Sequence, residues 1–226
     1  MFEFIEHSSA EIYAKLAYAF AQSLRNLDNK TARLAFSGGK SPIPFLECLA
    51  EQDVLWDCCT LSLVDDRIVP PDHQDSNALL IHRHFLDKVR SKFNIKAPFT
   101  PLVTDASLPP EMILQKALES YQQPDLALLG MGLDGHTASL FPEASEYEHA
   151  LSTTQPLVLT TPKNAPYKRI SMSLHALESC KETWLLISGE EKRKVFDEAT
   201  KGINPKLPIS YILHSKKVLC NVFYTR

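Results

Sequence analysis

The 226-residue sequence is short of glycine, with seven, about 3% where ~7% is usual. It has no apolar run near the ~18 residues that a membrane-spanning helix requires. Its opening stretch, MFEFIEHSSAEIY, lacks a basic start and a sustained apolar core and carries an early acid, which speaks against a secretion signal. The five cysteines (Cys48, Cys58, Cys59, Cys180 and Cys220) are odd in number and include no CxxC pair. A disulfide framework and a zinc site are therefore disfavoured, and reduced, mostly buried thiols of a cytoplasmic protein are expected. Nor is there an excess of positive charge. Twenty-four Lys and Arg against 27 Asp and Glu leave a formal charge of −3, which argues against broad binding to nucleic acid or an anionic membrane. An anionic ligand would have to be drawn by a local cluster of bases.

What is present is ordinary for a globular chain: 44% hydrophobic and 23% charged residues. At ~150 residues per domain the length predicts one large domain spanning residues 1–226. Ser8 or Ser9 can cap a helix in which Ile12, Leu16, Phe20, Leu24 and Leu27 recur at three- and four-residue spacing. Further helices are expected from Pro42 through Leu49, after Ser76 through Phe85, and over residues 111–121 and 190–199. Short apolar runs at 32–36, 61–64, 126–129, 157–161, 170–174, 184–187 and 218–224 read as strands. Buried strands alternating with helices predict an α/β fold with a mainly parallel sheet covered on both faces. In such folds ligands lie beyond the carboxyl ends of the strands.

Five of the seven glycines fall in two strand-end loops, where tight turns or close ligand approach are needed. The first, Ser37-Gly38-Gly39-Lys40-Ser41-Pro42, joins a strand to a helix. Its N–H groups, hydroxyls and helix N-terminus suit an anion. A Walker loop would need glycine at position 34, which is Leu34, so a single phosphate monoester suits this loop better than a nucleoside triphosphate. The second, Gly130-Met131-Gly132-Leu133-Asp134-Gly135, spells GxGxxG, but Pro142 interrupts the helix a dinucleotide fold would place next. His136 follows, with Asp134 two residues before it. An imidazole, with an ordinary pKa of ~6.5, is a candidate general base near neutrality; a His merely bonded to backbone is the plainer alternative. Between these loops a third strand end carries Asp65-Asp66-Arg67. There Arg67 can grip a phosphate with Asp66 holding it, or form an ordinary surface ion pair. Asp72, His73 and Asp75 lack metal-ligand spacing, His82 and His84 point different ways on a helix, and no GxSxG elbow is present.

Taken in order, SGGKSP, DDRIVPPDHQDSN and GMGLDGHTASLFP resemble the 6-phosphogluconolactonase family, the last motif being the most specific. The resemblance runs from Ser37 to Lys192 in Gly189-Glu190-Glu191-Lys192. It implies a three-layer α/β/α sandwich similar to glucosamine-6-phosphate deaminase and ribose-5-phosphate isomerase. The activity it implies is hydrolysis of a sugar-phosphate lactone, with no cofactor and no metal. By the same resemblance, Ser37, Gly38 and Gly39 face the phosphate, Arg67, Arg169 and Lys192 are the basic residues of the pocket, and His136 is the catalytic group; Lys40, in the same loop, is a further phosphate-binding candidate. Asp134 would orient it. Two departures stand out: Lys40 where relatives often have Ser or Thr, and Asp66 where Glu is common. Glucosamine-6-phosphate deaminases share the SGG loop and DGH but usually continue with Asn-Glu-Pro, where this chain has Ser139-Leu140-Phe141-Pro142. A non-catalytic sugar-phosphate sensor would not need His136. The expected partner is a small-molecule sugar-phosphate lactone, not nucleic acid or membrane, bound by a monomer or small homo-oligomer.

Overall fold

Apolar runs without polar alternation cannot leave either face in water, and the structure, a computed structural model, buries them in the middle of the molecule. It describes residues 2–7, 11–27 and 31–225; the expected cap at Ser8 or Ser9 lies outside them. Six strands form a fully parallel sheet: β1 (Phe2–His7), β2 (Ala32–Phe36), β3 (Cys59–Leu63), β5 (Leu126–Leu129), β8 (Glu182–Ser188) and β9 (Leu219–Thr225). Their spatial order is β1-β9-β8-β5-β2-β3. All four residues of β5 are buried, as a central strand covered on both faces requires. β1 is a strand the apolar runs did not announce. Glu3 and Glu6 interrupt its pattern, and pairing with β9 makes it an edge.

One helical layer holds α1 (Glu11–Arg25), α2 (Ile43–Ala50) and a longer helical rod. The rod runs as α3 (Asn77–Ile81), a π turn (His82–Leu86) and α4 (Asp87–Phe93). Pro42 stands at the N-cap of α2, and Ser76 caps α3 by accepting the Leu79 N–H. The other layer includes α6 (Tyr147–Ser152), α7 (Leu174–Glu178), α8 (Glu190–Ala199) and α9 (Ile209–Leu213), and α5 (Pro110–Ser120) packs on residues 157–160. Phe20 of α1 is fully buried, with its ring 6.2 Å from Phe36, 5.6 Å from Phe45 and 5.3 Å from Trp184. It joins α1 and α2 to strands β2 and β8.

The two apolar runs at 157–161 and 170–174 do not join the parallel sheet. They form β6 (Leu157–Thr160) and β7 (Arg169–Met172), an antiparallel hairpin that pairs with β4 (Asp65–Arg67) as a separate three-stranded sheet. Leu174 belongs to a helix, not the strand. A one-residue step at Val64 carries the chain from β3 to β4, with its N–H on Phe36 O and its carbonyl accepting from Met172. The second sheet thus projects from the carboxyl end of the first. Among the described residues no helix is long and apolar enough to cross a membrane, and all five cysteines are free. Burial pushes the Cys59 and Cys180 thiols up to about 12, which makes them poor nucleophiles.

Removing the Phe20 ring leaves a cavity under the sheet. Phe20→Ala is expected to cost about 3–5 kcal/mol and to lower Tm by roughly 10 °C, followed by circular dichroism on heating, with Phe20→Leu losing much less.

Candidate active site

Strand β2 lies between β3 and β5, so the chain leaves β2 towards one side of the sheet and leaves β5 towards the other. The loops diverge there and open a crevice at the carboxyl ends of the strands. A cavity of about 240 Å³ occupies it. Ser37, Gly38, Gly39, Lys40, Arg67, His136, Arg169 and Lys192 all line this one space, although they come from five separate chain segments. Asp134 does not line it and sits behind His136.

The two glycine loops are fastened to each other. Ser37 donates its N–H to Leu128 O at 3.0 Å, and its hydroxyl oxygen accepts the Gly130 N–H at 3.2 Å. The Ser37 hydroxyl therefore spends an acceptor on joining the loops and keeps its O–H to donate. The N–H groups of Gly38, Gly39, Lys40 and Ser41 have no acceptor among the described residues, and they run into the N-terminus of α2. Such a row of donors favours an anion. Gly38 is glycine by necessity, because a Cβ there would overlap the Asn77 side chain. Asn77 is 2% exposed, donates Nδ2–H to Asp65 O at 2.8 Å, and has no partner for Oδ1. It lines the cavity and was given no role from sequence, although it closes the DDRIVPPDHQDSN motif directly after the helix cap Ser76.

His136 Nδ1 lies 2.5 Å from Asp134 Oδ1, and the same oxygen accepts the His136 N–H at 3.2 Å. Burial pushes the Asp134 carboxyl up, but its bonds from His136 more than offset this and hold it below the ordinary carboxylate value. The ionised carboxylate then fixes the tautomer with the proton on Nδ1 and leaves Nε2 to act as acceptor. A side chain at Gly132 would strike the imidazole and Asp134. Phe141 packs against the imidazole with centroids 4.2 Å apart, and the Arg169 guanidinium lies 4.8 Å from the same ring.

The lining is also cationic. Arg67 and Arg169 face each other across the β4–β7 ladder, a like-charged pair that opposes pairing. Both Nε atoms are buried without a partner. Burial lowers the pKa of Arg169, with Asp65 opposing the shift. Asp65 in turn accepts the Ser139 O–H at 2.5 Å. Lys192, in the first turn of α8, has its pKa lowered by burial. Asp66 does not hold the Arg67 guanidinium as expected. Its carboxylate, 1% exposed, accepts the N–H groups of Arg67 (2.8 Å), Asn77 (2.7 Å) and Ala78 (3.2 Å). It therefore tethers β4 to the start of α3, and burial, only partly offset by those bonds, pushes its pKa up to about 7. Among the described residues no cluster of His, Cys, Asp and Glu is arranged to hold a metal ion.

A family model described as glucosamine-6-phosphate isomerases/6-phosphogluconolactonase matches residues 7–220. A 6-phosphogluconolactonase of Helicobacter pylori strain J99 is 49% identical over 195 residues, covering 85% of this chain and 83% of that protein. The crystal structure of a 6-phosphogluconolactonase from Shewanella baltica OS155 matches with a TM-score of 0.91 at 30% identity, over 100% of this chain and 98% of that one. A monomeric glucosamine-6-phosphate deaminase of the NagB superfamily shares the fold, with a TM-score of 0.76 at 20% identity over 99% and 97% of the two chains. On the extent of the family match and the identity to its lactonase members, this chain belongs to the glucosamine-6-phosphate isomerase/6-phosphogluconolactonase family.

Proposed function

We propose that the chain hydrolyses 6-phospho-D-glucono-1,5-lactone to 6-phospho-D-gluconate, the lactone-opening step of the oxidative pentose phosphate pathway. The observation that carries this reading is a single cavity that joins an imidazole backed by a carboxylate to a cradle of free N–H groups and cations. A δ-lactone is an activated cyclic ester, so a base and a positioned water supply the chemistry with no metal or redox cofactor. His136 Nε2 takes a proton from water as its oxygen bonds to C1. The bond from C1 to the ring oxygen then breaks, and the imidazolium returns the proton to that oxygen, which becomes the C5 hydroxyl. Asp134 orients the imidazole and stabilises its cation. Residues 37–41 hold the phosphate, and Lys192, Arg67 and Arg169 add positive charge that binds it. Lys40, exposed at the mouth, adds to the same field.

The local charge answers the problem set by a net charge of −3. Four cations line the cavity against one carboxylate, Asp65. The chain works in the cytoplasm as one domain over residues 1–226, and as a monomer or small homo-oligomer. The family match over residues 7–220 supports the single domain.

Turnover of freshly generated 6-phosphogluconolactone, set against its spontaneous hydrolysis at matched pH, tests the assignment. His136→Asn is expected to lower kcat by about 10²–10⁴-fold while 6-phosphogluconate still binds. No acceleration by the wild type would overturn the lactonase reading and bring a deaminase or a sugar-phosphate sensor forward. Asp134→Asn separates an orienting carboxylate from a loop scaffold. As a working partner it should cost kcat on the order of 10²-fold, whereas an unaltered kcat would leave Asp134 a loop residue only. Lys192→Met is expected to raise KM roughly tenfold with a small change in kcat, the signature of a group that binds ground and transition states alike.

A further inference from the structure

Tyr167 has no place in the chemistry above, yet its backbone is unusual. It follows Pro166 in the loop leading into β7 and adopts φ +69°, the left-handed region that bulky side chains avoid. Conformations of this kind persist only where surrounding contacts hold them, and they gather at ligand clamps. Here the contacts are specific. The Tyr167 hydroxyl donates to Asp75 Oδ2 at 3.1 Å, and its ring meets His73 edge-on with centroids 5.7 Å apart. The Asp75 N–H donates to His73 Nδ1 at 3.1 Å, which ties the 73–75 turn together. The main-chain carbonyl of Asp75 then accepts from Arg67 Nη1 at 2.6 Å. Arg67 lines the cavity. A continuous set of contacts therefore runs from a strained, partly exposed loop to one of the cations of the site. The Ile68 N–H also donates to Lys168 O at 2.8 Å, so the segments beside Arg67 and Tyr167 are joined directly.

We propose that Tyr167 is a positioning residue for Arg67: by holding Asp75 it fixes the guanidinium against the cavity and so sets affinity for the anionic substrate. The proposal rests on the lactonase reading and deepens it. An arginine side chain loses considerable rotamer freedom when it is ordered, and that cost falls on binding unless the protein has already met it. The Asp75 carbonyl immobilises one end of the guanidinium, and Tyr167 keeps that carbonyl in place. Because the contacts stop at Arg67, the consequence falls on substrate binding and not on the proton transfer at His136.

Steady-state kinetics with fresh lactone, together with inhibition by 6-phosphogluconate, provide the test. Tyr167→Phe keeps the ring and removes one hydrogen bond to a carboxylate. It should raise KM and the inhibition constant by roughly five- to tenfold and leave kcat within about twofold. Asp75→Ala should reproduce the effect, and the double variant should be no worse than either single one, since both break the same linkage. Tyr167→Gly suits the left-handed backbone and should show the same rise in KM, which separates the latch from simple backbone strain. An unchanged KM in Tyr167→Phe, a loss of kcat at constant KM, or additive single effects would each overturn the proposal. Wild-type turnover distinguishes the two levels. An active wild type with an unaffected Tyr167→Phe sinks only the latch, while a wild type no faster than the blank sinks the lactonase reading and the latch with it.

Discussion

The position of β2, between β3 on one side and β5 on the other, is the constraint on which the site depends. Parallel strands must be joined by crossovers, and connections that leave two neighbouring strands in opposite directions cannot fill the space between them. That gap receives the loop after β2 and the loop after β5, and the Ser37–Gly130 hydrogen bond fastens one to the other. β8, next to β5, delivers Lys192 from the start of α8 to the same opening. Three of the segments that line the cavity therefore follow adjacent strands of a single sheet.

Two more segments, β4 and β7, come from the small antiparallel sheet, and their electrostatics run against stability. Arg67 and Arg169 are paired across β4 and β7, partly or largely out of water, and the Nε–H of each has no acceptor among the described residues. A fold assembled only for stability would place opposite charges or apolar groups there. The neighbouring acids do not simply cancel the arginines. Asp66 is committed to three backbone N–H groups and Asp65 to Ser139. The positive charge is thus left available to a ligand, which is how a chain of net negative charge can attract an anion.

The imidazole and the cations are positioned by different devices. His136 is oriented by short-range packing within its own loop: the Asp134 carboxylate on Nδ1, the absence of a side chain at Gly132 and the Phe141 ring against the imidazole. Arg67 is oriented at a distance, through Asp75 and Tyr167. Phe141 touches both His136 and Arg169, so the imidazole and one cation share a common support.

Much of this was legible in the sequence. Continuous apolar strands, helix caps such as Ser76, and glycines gathered after two strands determined a mainly parallel α/β fold with its loops at the carboxyl ends. The motifs around His136, Ser37 and Arg67 marked the residues that line the cavity. Local patterning reports burial and turn geometry, and those are the properties it delivered. It does not report which strand pairs with which. An apolar run reads the same in a central parallel sheet as in β6 and β7, and only long-range pairing placed those two apart and set Arg169 opposite Arg67. Charged pairs read from adjacency fared similarly: Asp66 beside Arg67 suggested an ion pair, but α3 packs its N–H groups against that carboxylate and takes its acceptors. Asn77 closes a motif that does not disclose its role, and Tyr167 lies outside every motif. Their positions are decided by contacts with residues 39 and 92 places away in the chain, and such contacts exist only once the tertiary structure has formed.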